Sequence, residues 1–172
     1  MQPSSFDEET FFQAIAASGA RSLLIGRRAL IALGIPVLTA DYDFWVHPDD
    51  AEVFNAACAK VDLHPTRAPL EARRYGRYVL ENDEHVDVLL AKAVSTGDGG
   101  QVSFDDLWAR RKSLSVGAAS VAVPALDDLI LTKKLGTRSK DAEDVRLLES
   151  LRPGPGDPPD RDGRPERPEK RK

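Results

Sequence analysis

Apolar positions in the first third of the chain recur at two spacings, one typical of helices and one typical of strands. Ser5 and Glu8 form a capping-box pattern ahead of apolar residues at helical spacing, which predicts an opening helix that ends near Gly19. Two short runs of apolar, β-branched and aromatic residues, at 21–25 and 42–46, predict buried strands. The chain is therefore expected to begin with a helix and then to enter a sheet.

Helical and strand-like patterns continue to alternate as far as residue 151. A Gly-rich stretch, VSTGDGGQV at 94–102, predicts a loop, and Gly117 marks the turn of a predicted hairpin. The mixture predicts an α+β fold, in which helices pack on a small mixed β-sheet and further helices follow at the C-terminal end. The remaining predicted elements are helices at 27–33, 47–61, 125–135 and 140–151, strands at 73–82 and 85–91, and the hairpin at 113–124.

Composition divides the chain into one domain and a tail. Residues 1–151 are predicted to form the domain, with a sheet region at about 20–95 and a hairpin and helices at about 104–151. From Arg152 on, Pro, Gly and charged residues dominate and almost no apolar residue remains. Because such a segment cannot offset its ordering entropy by burying apolar surface, residues 152–172 are predicted to be disordered.

The overall charge and the cysteine content narrow the class of protein. The net charge is −4 over 172 residues, so any contact with nucleic acid has to depend on local basic clusters. A single cysteine, Cys58, excludes an internal disulfide framework and lies in an apolar helical stretch, which predicts a small buried residue. The polar, acidic start and the lack of a long apolar run predict a cytoplasmic protein with no membrane partner.

Three aspartates occupy strand-like positions where a charge needs a partner. Asp41 and Asp43 are two residues apart, so in a strand their side chains project from the same face. At the start of a strand predicted to be buried, two carboxylates this close are costly unless a cation compensates them. Asp87 lies between apolar neighbours and joins the pair if the two strands are adjacent. Such oxygen ligands suit Mg²⁺ or Mn²⁺, and two ions of this kind support nucleotidyl transfer.

A glycine ahead of these aspartates predicts a place for phosphate. Gly26 ends a predicted strand and opens a predicted helix, where free backbone N–H groups and the positive end of the helix dipole favour anions. Arg27 and Arg28 add positive charge at the same turn. We therefore expect a triphosphate between Gly26-Arg27 and metal ions on the aspartates.

These motifs, in this order, resemble the nucleotidyltransferase superfamily of polymerase-β-like enzymes, and more narrowly its minimal members and the abortive-infection type toxins. The stretches LLIGRRALIALG and LTADYDFWV match the family's glycine turn, short helix and T-x-D-x-D strand, and HVDVLL matches the strand of the third aspartate. The segment LILTKKLGTRSKDAEDVRLLE resembles a lysine helix followed by R-x-K-D-x-x-D. Two positions depart from the pattern. Arg27 replaces the second small residue of the glycine pair, and Val37 replaces a basic residue before Thr39.

The resemblance implies a metal-dependent transfer of a nucleotide from a nucleoside triphosphate. Asp41, Asp43 and Asp87 are then the metal ligands and catalytic residues, with Mg²⁺ or Mn²⁺ as the cofactor. The family suggests RNA, often transfer RNA, or a protein side chain as the acceptor, and a toxin role with a cognate antitoxin as a partner. The residues expected to contact the nucleotide are Gly26, Arg27, Arg28, Thr39 and Lys133.

The role of the C-terminal charged residues is left open by the pattern. Lys133 falls on the apolar face of its predicted helix and therefore needs an anionic partner. The nucleotide phosphates are one candidate, and Asp141 or Asp144 is the structural alternative. We interpret the group Arg138-Lys140-Asp141-Asp144 as a structural ion-pair network.

Other interpretations follow from the departures and from less specific motifs. Arg27 and Val37 motivate a second hypothesis, a degenerate nucleotidyltransferase fold that binds nucleotide or a partner protein without turnover. Because all three aspartates are retained, the sequence favours the active enzyme, and a metal-dependent hydrolase is a third hypothesis. The stretch RRYGRY at 73–78 is interpreted as a strand that either contacts RNA or is an exposed sheet face. His85, two residues before Asp87, either lines the site or begins a strand.

Overall fold

The elements of the fold follow one another as an alternation of short helices and strands. The computed structural model describes residues 6–96, 98–135 and 139–153, with the backbone alone at 139 and 140. The predicted α+β class is confirmed. In chain order the elements are α1 (Glu8–Ser18), β1 (Ser22–Ile25), α2 (Gly26–Ala32), β2 (Asp41–Val46), α3 (Ala51–Ala59), β3 (His64–Pro65), α4 (Pro69–Tyr75), β4 (Arg77–Glu81), β5 (His85–Leu90), β6 (Ala93–Ser95), β7 (Gln101–Ser103), α5 (Phe104–Arg110), β8 (Lys112–Val116), β9 (Ala119–Val123), α6 (Leu126–Lys134) and α7 (Ser139–Glu149).

Five strands form the central sheet, in the order β1-β2-β5-β4-β3. β2 and β5 run parallel, whereas the other neighbouring pairs are antiparallel. α3, β3, α4 and β4 lie between β2 and β5 in sequence and make the crossover that a parallel pair needs. In the parallel register Asp43 is the direct neighbour of Asp87. The topology therefore places the acidic strands side by side at the centre of the sheet.

One face of the sheet is a packed apolar core. Tyr42, Phe44 and Val46 alternate along β2 and are almost fully buried on this face. The Phe44 ring lies 6.0 Å from the ring of Phe11 in α1 and 5.3 Å from that of Phe54 in α3, measured between centroids. Removing a buried ring from such a cluster typically costs about 3–5 kcal/mol. This core holds β2 rigid and fixes which of its side chains project from the opposite face.

A second apolar cluster covers half of the opposite face. Trp45 is fully buried there among Leu23, Phe104 and Leu107, and its indole Nε1 donates a hydrogen bond to the carbonyl oxygen of Ala91 at 2.9 Å. The indole is therefore buried with its polar atom satisfied. In the described part of the chain, the half of this face nearer the start of β2 has no such apolar cover.

The opening helix begins at a different residue from the one predicted. The carboxylate of Asp7 accepts a hydrogen bond from the backbone N–H of Thr10 at 3.0 Å and caps α1. Ser5 of the predicted capping box lies outside the described residues. The predicted end is confirmed, because α1 stops at Ser18 and Gly19 adopts a left-handed conformation with φ +74°.

The prediction of a strand over 73–82 is wrong in its first half. Residues 69–75 form α4, with Pro69 at the first helical position, where its missing N–H is no loss. Gly76, at φ +73°, ends the helix, and β4 begins only at Arg77. The alternation of Arg and Tyr in RRYGRY imitated a strand across this boundary. Three further elements were missed: β3, α5, and the β6–β7 hairpin, which occupies much of the predicted Gly-rich loop.

The C-terminal elements follow the predicted order. β8 and β9 form the predicted hairpin with Gly117 at its turn, at φ +60°, and α6 and α7 follow. The break predicted between these helices, at Gly136-Thr137, lies outside the described residues, as do residues 154–172 of the predicted tail. Among the helices of the described ranges, none is both long and apolar enough to cross a bilayer.

Candidate active site

A cavity of about 1040 Å³ opens on the uncovered half of the sheet. Its floor consists of residues from β2, β5 and β4, which contribute alternate side chains on the same face. The turn from β1 into α2 forms one wall together with α6, and the β3–β4 side forms the other. Seven of the eight residues predicted for the site line this cavity: Gly26, Arg27, Thr39, Asp41, Asp43, Asp87 and Lys133.

The three aspartates lie at the centre of the floor. Asp43 and Asp87 are in-register partners on β2 and β5, and Asp41 lies two residues before Asp43 on the same face. The predicted burial of the pair is wrong for Asp41, which is exposed, while Asp43 is half-buried. The reason is that β1 pairs with β2 only as far as Ile25 opposite Asp43 and then turns into α2. Asp41 therefore projects beyond the end of the neighbouring strand.

Gly26 lies directly against the carboxylate of Asp43. Its φ of +68° is a conformation that L side chains rarely adopt. A Cβ at this position would overlap Asp43 Oδ2 and lie 3.0 Å from Asp43 Cβ, so a side chain is excluded as well. The glycine at the β1–α2 turn therefore leaves the Asp43 carboxylate in place and keeps its neighbourhood open.

The donor chemistry of the floor fits a hard divalent cation. Three carboxylates on adjacent strands provide oxygen ligands of the kind that Mg²⁺ and Mn²⁺ prefer. Among the described residues, however, no three acidic, histidine or cysteine side chains are gathered closely enough to form a metal cage. Without a cation between them, the carboxylates repel one another. Asp87 contacts a different side chain, since its Oδ1 lies 3.3 Å from Nε2 of His85. The three aspartates therefore have the ligand type and the placement that suit a divalent cation, but they do not form a ready-made coordination cage.

Arg27 extends from the glycine turn to the C-terminal helices. Its Nη1 donates a hydrogen bond to the carbonyl oxygen of Leu38 at 3.2 Å. Its Nη2 lies 3.2 Å from Asp144 Oδ1 and 3.8 Å from Glu143 Oε2, both on α7. The residue that departs from the family pattern thus ties the α2 turn to α7, while its guanidinium still lines the cavity.

Lys133 shares the same carboxylate with Arg27. Its Nζ donates a hydrogen bond to Asp144 Oδ2 at 2.7 Å and lies 3.7 Å from Asp141 Oδ1. The side chain of Asp144 is fully buried, so these two cations provide the compensation that a buried carboxylate needs. Asp141 pairs with Lys133, and Asp144 pairs with both Lys133 and Arg27, so the structural alternative predicted for Lys133 is present. Arg138 and the side chain of Lys140, the other members of the predicted network, lie outside the described residues.

Thr39 and Arg28 have different positions relative to the site. The hydroxyl of Thr39 accepts a hydrogen bond from the backbone N–H of Asp41 at 3.2 Å and so fixes the entry into β2. The structure does not bring Arg28 to the cavity. Its guanidinium lies 4.2 Å above the ring of Tyr42 and 3.4 Å from Glu8, on the core side of the sheet. Because α2 is helical, successive arginines point to different sides.

The second wall adds two residues that the sequence reasoning missed, Thr66 and Arg67, to Arg77 of the RRYGRY stretch. Thr66 and Arg67, which follow β3, line the cavity together with Arg77 of β4. The signal for Arg77 was present in the alternation of β4, where Tyr78 and Leu80 are buried and Arg77 shares the face of Asp87. No local pattern marked Arg67. His85, considered as a residue lining the site, does not line the cavity itself but contacts Asp87 from the edge.

Known proteins resemble this chain in structure. An adenylyltransferase, ANT(2″)-Ia, solved in complex with adenylyl-2″-tobramycin, superimposes with a TM-score of 0.58 at 13% identity, covering 82% of this chain and 84% of its own. The fold is that of the nucleotidyltransferases. A candidate nucleotidyltransferase from Thermotoga maritima gives a TM-score of 0.55 at 16% identity, with 83% and 89% coverage. The lincosamide adenylyltransferase LnuA, bound to lincomycin, gives 0.58 at 11% identity, with 87% and 100% coverage.

The similarity is one of structure and not of sequence. Neither a protein-family model nor a curated protein sequence matches the chain significantly. At 11–16% identity the structural matches establish the nucleotidyltransferase fold and leave the reaction to be argued from the site itself. The predicted resemblance to the superfamily is confirmed at the level of the fold.

Proposed function

We propose that this protein is a Mg²⁺-dependent nucleotidyltransferase that transfers a nucleoside monophosphate from a nucleoside triphosphate to a hydroxyl of RNA or protein. The observation that carries the proposal is the arrangement of Asp41, Asp43 and Asp87. They lie on two parallel neighbouring strands, line one cavity, and face a glycine turn in a chain with the nucleotidyltransferase fold. Acting on nucleoside triphosphates and RNA, the enzyme would work in the cytoplasm.

Each residue has a role that its position supports. When bound by the three aspartates, Mg²⁺ would neutralise charge on the triphosphate and favour ionisation of the acceptor hydroxyl. Asp41 and Asp43 are the ligands nearest the glycine turn, and Asp87, on the next strand, is the ligand nearest the β4 wall. Because Gly26 has no side chain, phosphate oxygens can approach the backbone beside Asp43.

Arg27 and Lys133 are placed to hold the triphosphate on the α2–α6 wall. Both line the cavity, and both are oriented by the buried carboxylate of Asp144. A guanidinium has five N–H donors and an ammonium has three, so each cation retains donors for phosphate while it contacts Asp144. Thr39 fixes the backbone that leads into Asp41.

The biological role is proposed from the family resemblance. The narrower resemblance is to the abortive-infection type toxins, so a toxin function with transfer RNA as the acceptor and a cognate antitoxin as the partner is the corresponding hypothesis. The structural neighbours crystallised with adenylyl-2″-tobramycin and with lincomycin suggest a second acceptor class, a small antibiotic. Both classes require the same nucleotidyl transfer at the same carboxylates.

Transfer of label tests the proposal. The protein is incubated with Mg²⁺, each α-labelled nucleoside triphosphate, and total RNA with protein. The wild type should transfer label and the Asp41→Ala/Asp43→Ala variant should not. Asp106→Asn is the matched control, because Asp106 is an exposed aspartate of α5 outside the cavity. Lack of transfer with any nucleotide by well-folded wild type contradicts the proposal.

Measurements of the melting temperature distinguish the proposed enzyme from a degenerate module that binds nucleotide without turnover. Its motivation is the bulky Arg27 at the glycine turn, which partly occupies the wall expected to hold phosphate. An enzyme and a module both gain stability from nucleotide, since each binds it in the native state. If the aspartates bind metal, Mg²⁺ should raise the melting temperature further when nucleotide is present, and Asp43→Asn should abolish this further rise. A binding module without a metal site predicts neither result.

A further inference from the structure

The cavity wall opposite the proposed triphosphate site consists of basic and aromatic residues. The carboxylates lie on the two middle strands, with Arg27 on the β1 side and Arg67 and Arg77 on the β3–β4 side. Arg77 has the same facing as Asp87, because Val79, two residues along β4, is the cross-strand partner of Asp87. A group bound at this wall therefore lies on the acceptor side of the carboxylates.

Arg67, Tyr75 and Arg77 form a connected surface, which we call the arginine wall. Nη1 of Arg67 donates a hydrogen bond to the carbonyl oxygen of Arg77 at 3.0 Å. The Arg67 guanidinium lies 4.4 Å above the Tyr75 ring, which is 62% exposed. A guanidinium stacked on a ring has one orientation fixed and its remaining donors free. The wall is thus ordered by its own contacts before any ligand binds.

Within the described residues, no carboxylate compensates the charge of the arginine wall. Several other arginines are committed to carboxylates, such as Arg73 to Glu52 and Arg27 to Asp144. Arg74, Arg111 and Arg146 have no ion pair with the described residues either, but they do not line the cavity. In the part of the chain that the structure describes, neither Arg67 nor Arg77 has a carboxylate within ion-pair distance. Two uncompensated guanidinium groups lie beside a set of aspartates and face the same cavity. An anionic group on the acceptor supplies their missing partner.

We propose that the arginine wall binds the 3′ end of a single-stranded RNA acceptor. A phosphodiester would accept hydrogen bonds from Arg67 and Arg77, and a base would stack on the exposed Tyr75. This inference rests on the proposed nucleotidyl transfer and deepens it by naming the acceptor. An amine-rich antibiotic such as tobramycin would be repelled by the same two charges, and a protein side chain offers no phosphate for them.

The wall orients the acceptor for a balanced reaction. The terminal 3′-hydroxyl oxygen forms a bond to the α-phosphorus, and the bond between the α-phosphorus and the pyrophosphate oxygen breaks. Pyrophosphate leaves on the Arg27–Lys133 side, and the hydroxyl proton passes to solvent. In this arrangement the two basic walls bind different substrates on either side of the carboxylates.

RNA binding without nucleotide tests the wall independently of transfer. Fluorescence anisotropy with a labelled single-stranded RNA compares the wild type with Arg67→Ala/Arg77→Ala and with Tyr75→Ala. Loss of two charge-assisted phosphate contacts should raise Kd at least about tenfold and reduce the slope of log Kd against log salt by about 1.4. Arg74→Ala is the control, since Arg74 is an exposed arginine of α4 that does not line the cavity. Its affinity and salt slope should match the wild type.

Acceptor labelling completes the test. The wild type should label the RNA and not tobramycin, lincomycin or added protein, and the double arginine variant should lose that labelling while nucleotide still raises its melting temperature. Equal RNA affinity in wild type and double variant overturns the inference, as does preferential labelling of protein or antibiotic. Arginine-dependent RNA binding without any transfer would retain the wall and reject the proposed enzyme, so the two failures are distinguishable.

Discussion

Gly26 and Asp43 lie so close together that no side chain fits between them. The glycine has a positive φ and its missing Cβ would overlap a carboxylate oxygen of the aspartate. The turn that ends β1 is therefore built around the position of a β2 carboxylate. This contact couples the local backbone of the glycine motif to the geometry of the proposed metal ligands.

Replacing Gly26 by alanine should damage both stability and transfer. The left-handed conformation alone costs about 1–3 kcal/mol for a residue with a Cβ, and displacement of Asp43 adds to that cost. Gly34→Ala is the matched control, because Gly34 has φ +89° but a Cβ there would meet nothing within 4 Å. Urea unfolding should show the larger loss for Gly26→Ala, and transfer should fall only in that variant. Equal effects in both would contradict the proposed role of the close contact.

Asp144→Asn should be strongly destabilising. Its side chain is fully buried between Arg27 and Lys133, so loss of its charge leaves two partly buried cations poorly compensated. Breaking one partner of a buried ion pair typically costs about 3–5 kcal/mol. The neighbouring Glu143 is 61% exposed and lies 3.8 Å from Arg27. Glu143→Gln should therefore change the free energy of unfolding by less than about 0.5 kcal/mol, and a comparable loss in both variants would count against the account.

Substitutions of Arg27 and Arg28 should have different effects, although the two residues are adjacent in sequence. Arg27→Gln removes a cation from the cavity wall and should weaken nucleoside triphosphate binding by about tenfold, the effect of one charge-assisted hydrogen bond. Arg28→Gln removes a guanidinium from the Tyr42 ring and should reduce stability by about 1 kcal/mol. Titration calorimetry with a non-hydrolysable nucleotide should show wild-type affinity for the Arg28 variant. A weakened Arg28 variant would place that residue at the phosphates after all.

The ion pair between Arg21 and Asp50 should make stability depend on acid pH. Side-chain hydrogen bonds from Arg21 hold the pKa of Asp50 below its usual range, against the opposing effect of burial. Because the pKa of Asp50 is lower in the folded state, its carboxylate stabilises the protein at pH values above the unfolded-state pKa of about 3.9. This stabilisation is lost as the pH falls through the folded-state pKa. Asp50→Asn should therefore cost about 1.5–3 kcal/mol at neutral pH. In urea unfolding that difference should shrink below about pH 4, and a difference that persists unchanged at lower pH would refute this origin.

The order and spacing of the motifs were readable from sequence because they depend on local rules. A strand followed by glycine, a short helix and a D-x-D strand specify the β1–α2–β2 unit, and side-chain alternation specifies the common face of Asp41 and Asp43. The sequence left the adjacency of Asp87 conditional on the pairing of its strand with that of Asp43, and the parallel β2–β5 register supplies this pairing. The class of fold followed from these patterns, and seven of the eight residues proposed for the site line one cavity.

Other features of the fold and of the candidate site could not be predicted from the sequence, because they depend on long-range contacts or on elements too short to show a pattern. Arg27 and Asp144 are separated by 117 positions, so their ion pair has no local signal. Arg67 follows a two-residue strand that no periodicity can reveal. The Arg-Tyr alternation concealed the end of α4. Pro69, which begins this helix, lies before the predicted strand, and Gly76, which ends it, lies within the predicted strand.

The central claim is that the three aspartates support nucleotidyl transfer, and a paired-label reaction tests it most directly. One nucleoside triphosphate is supplied with its label at either the α- or the γ-phosphate, with Mg²⁺ and RNA, to wild type and Asp43→Asn. The account predicts that wild type incorporates the α-label into RNA and releases the γ-label as pyrophosphate, and that the variant does neither. Incorporation of the γ-label, release of inorganic phosphate in place of pyrophosphate, or full activity in Asp43→Asn would contradict it.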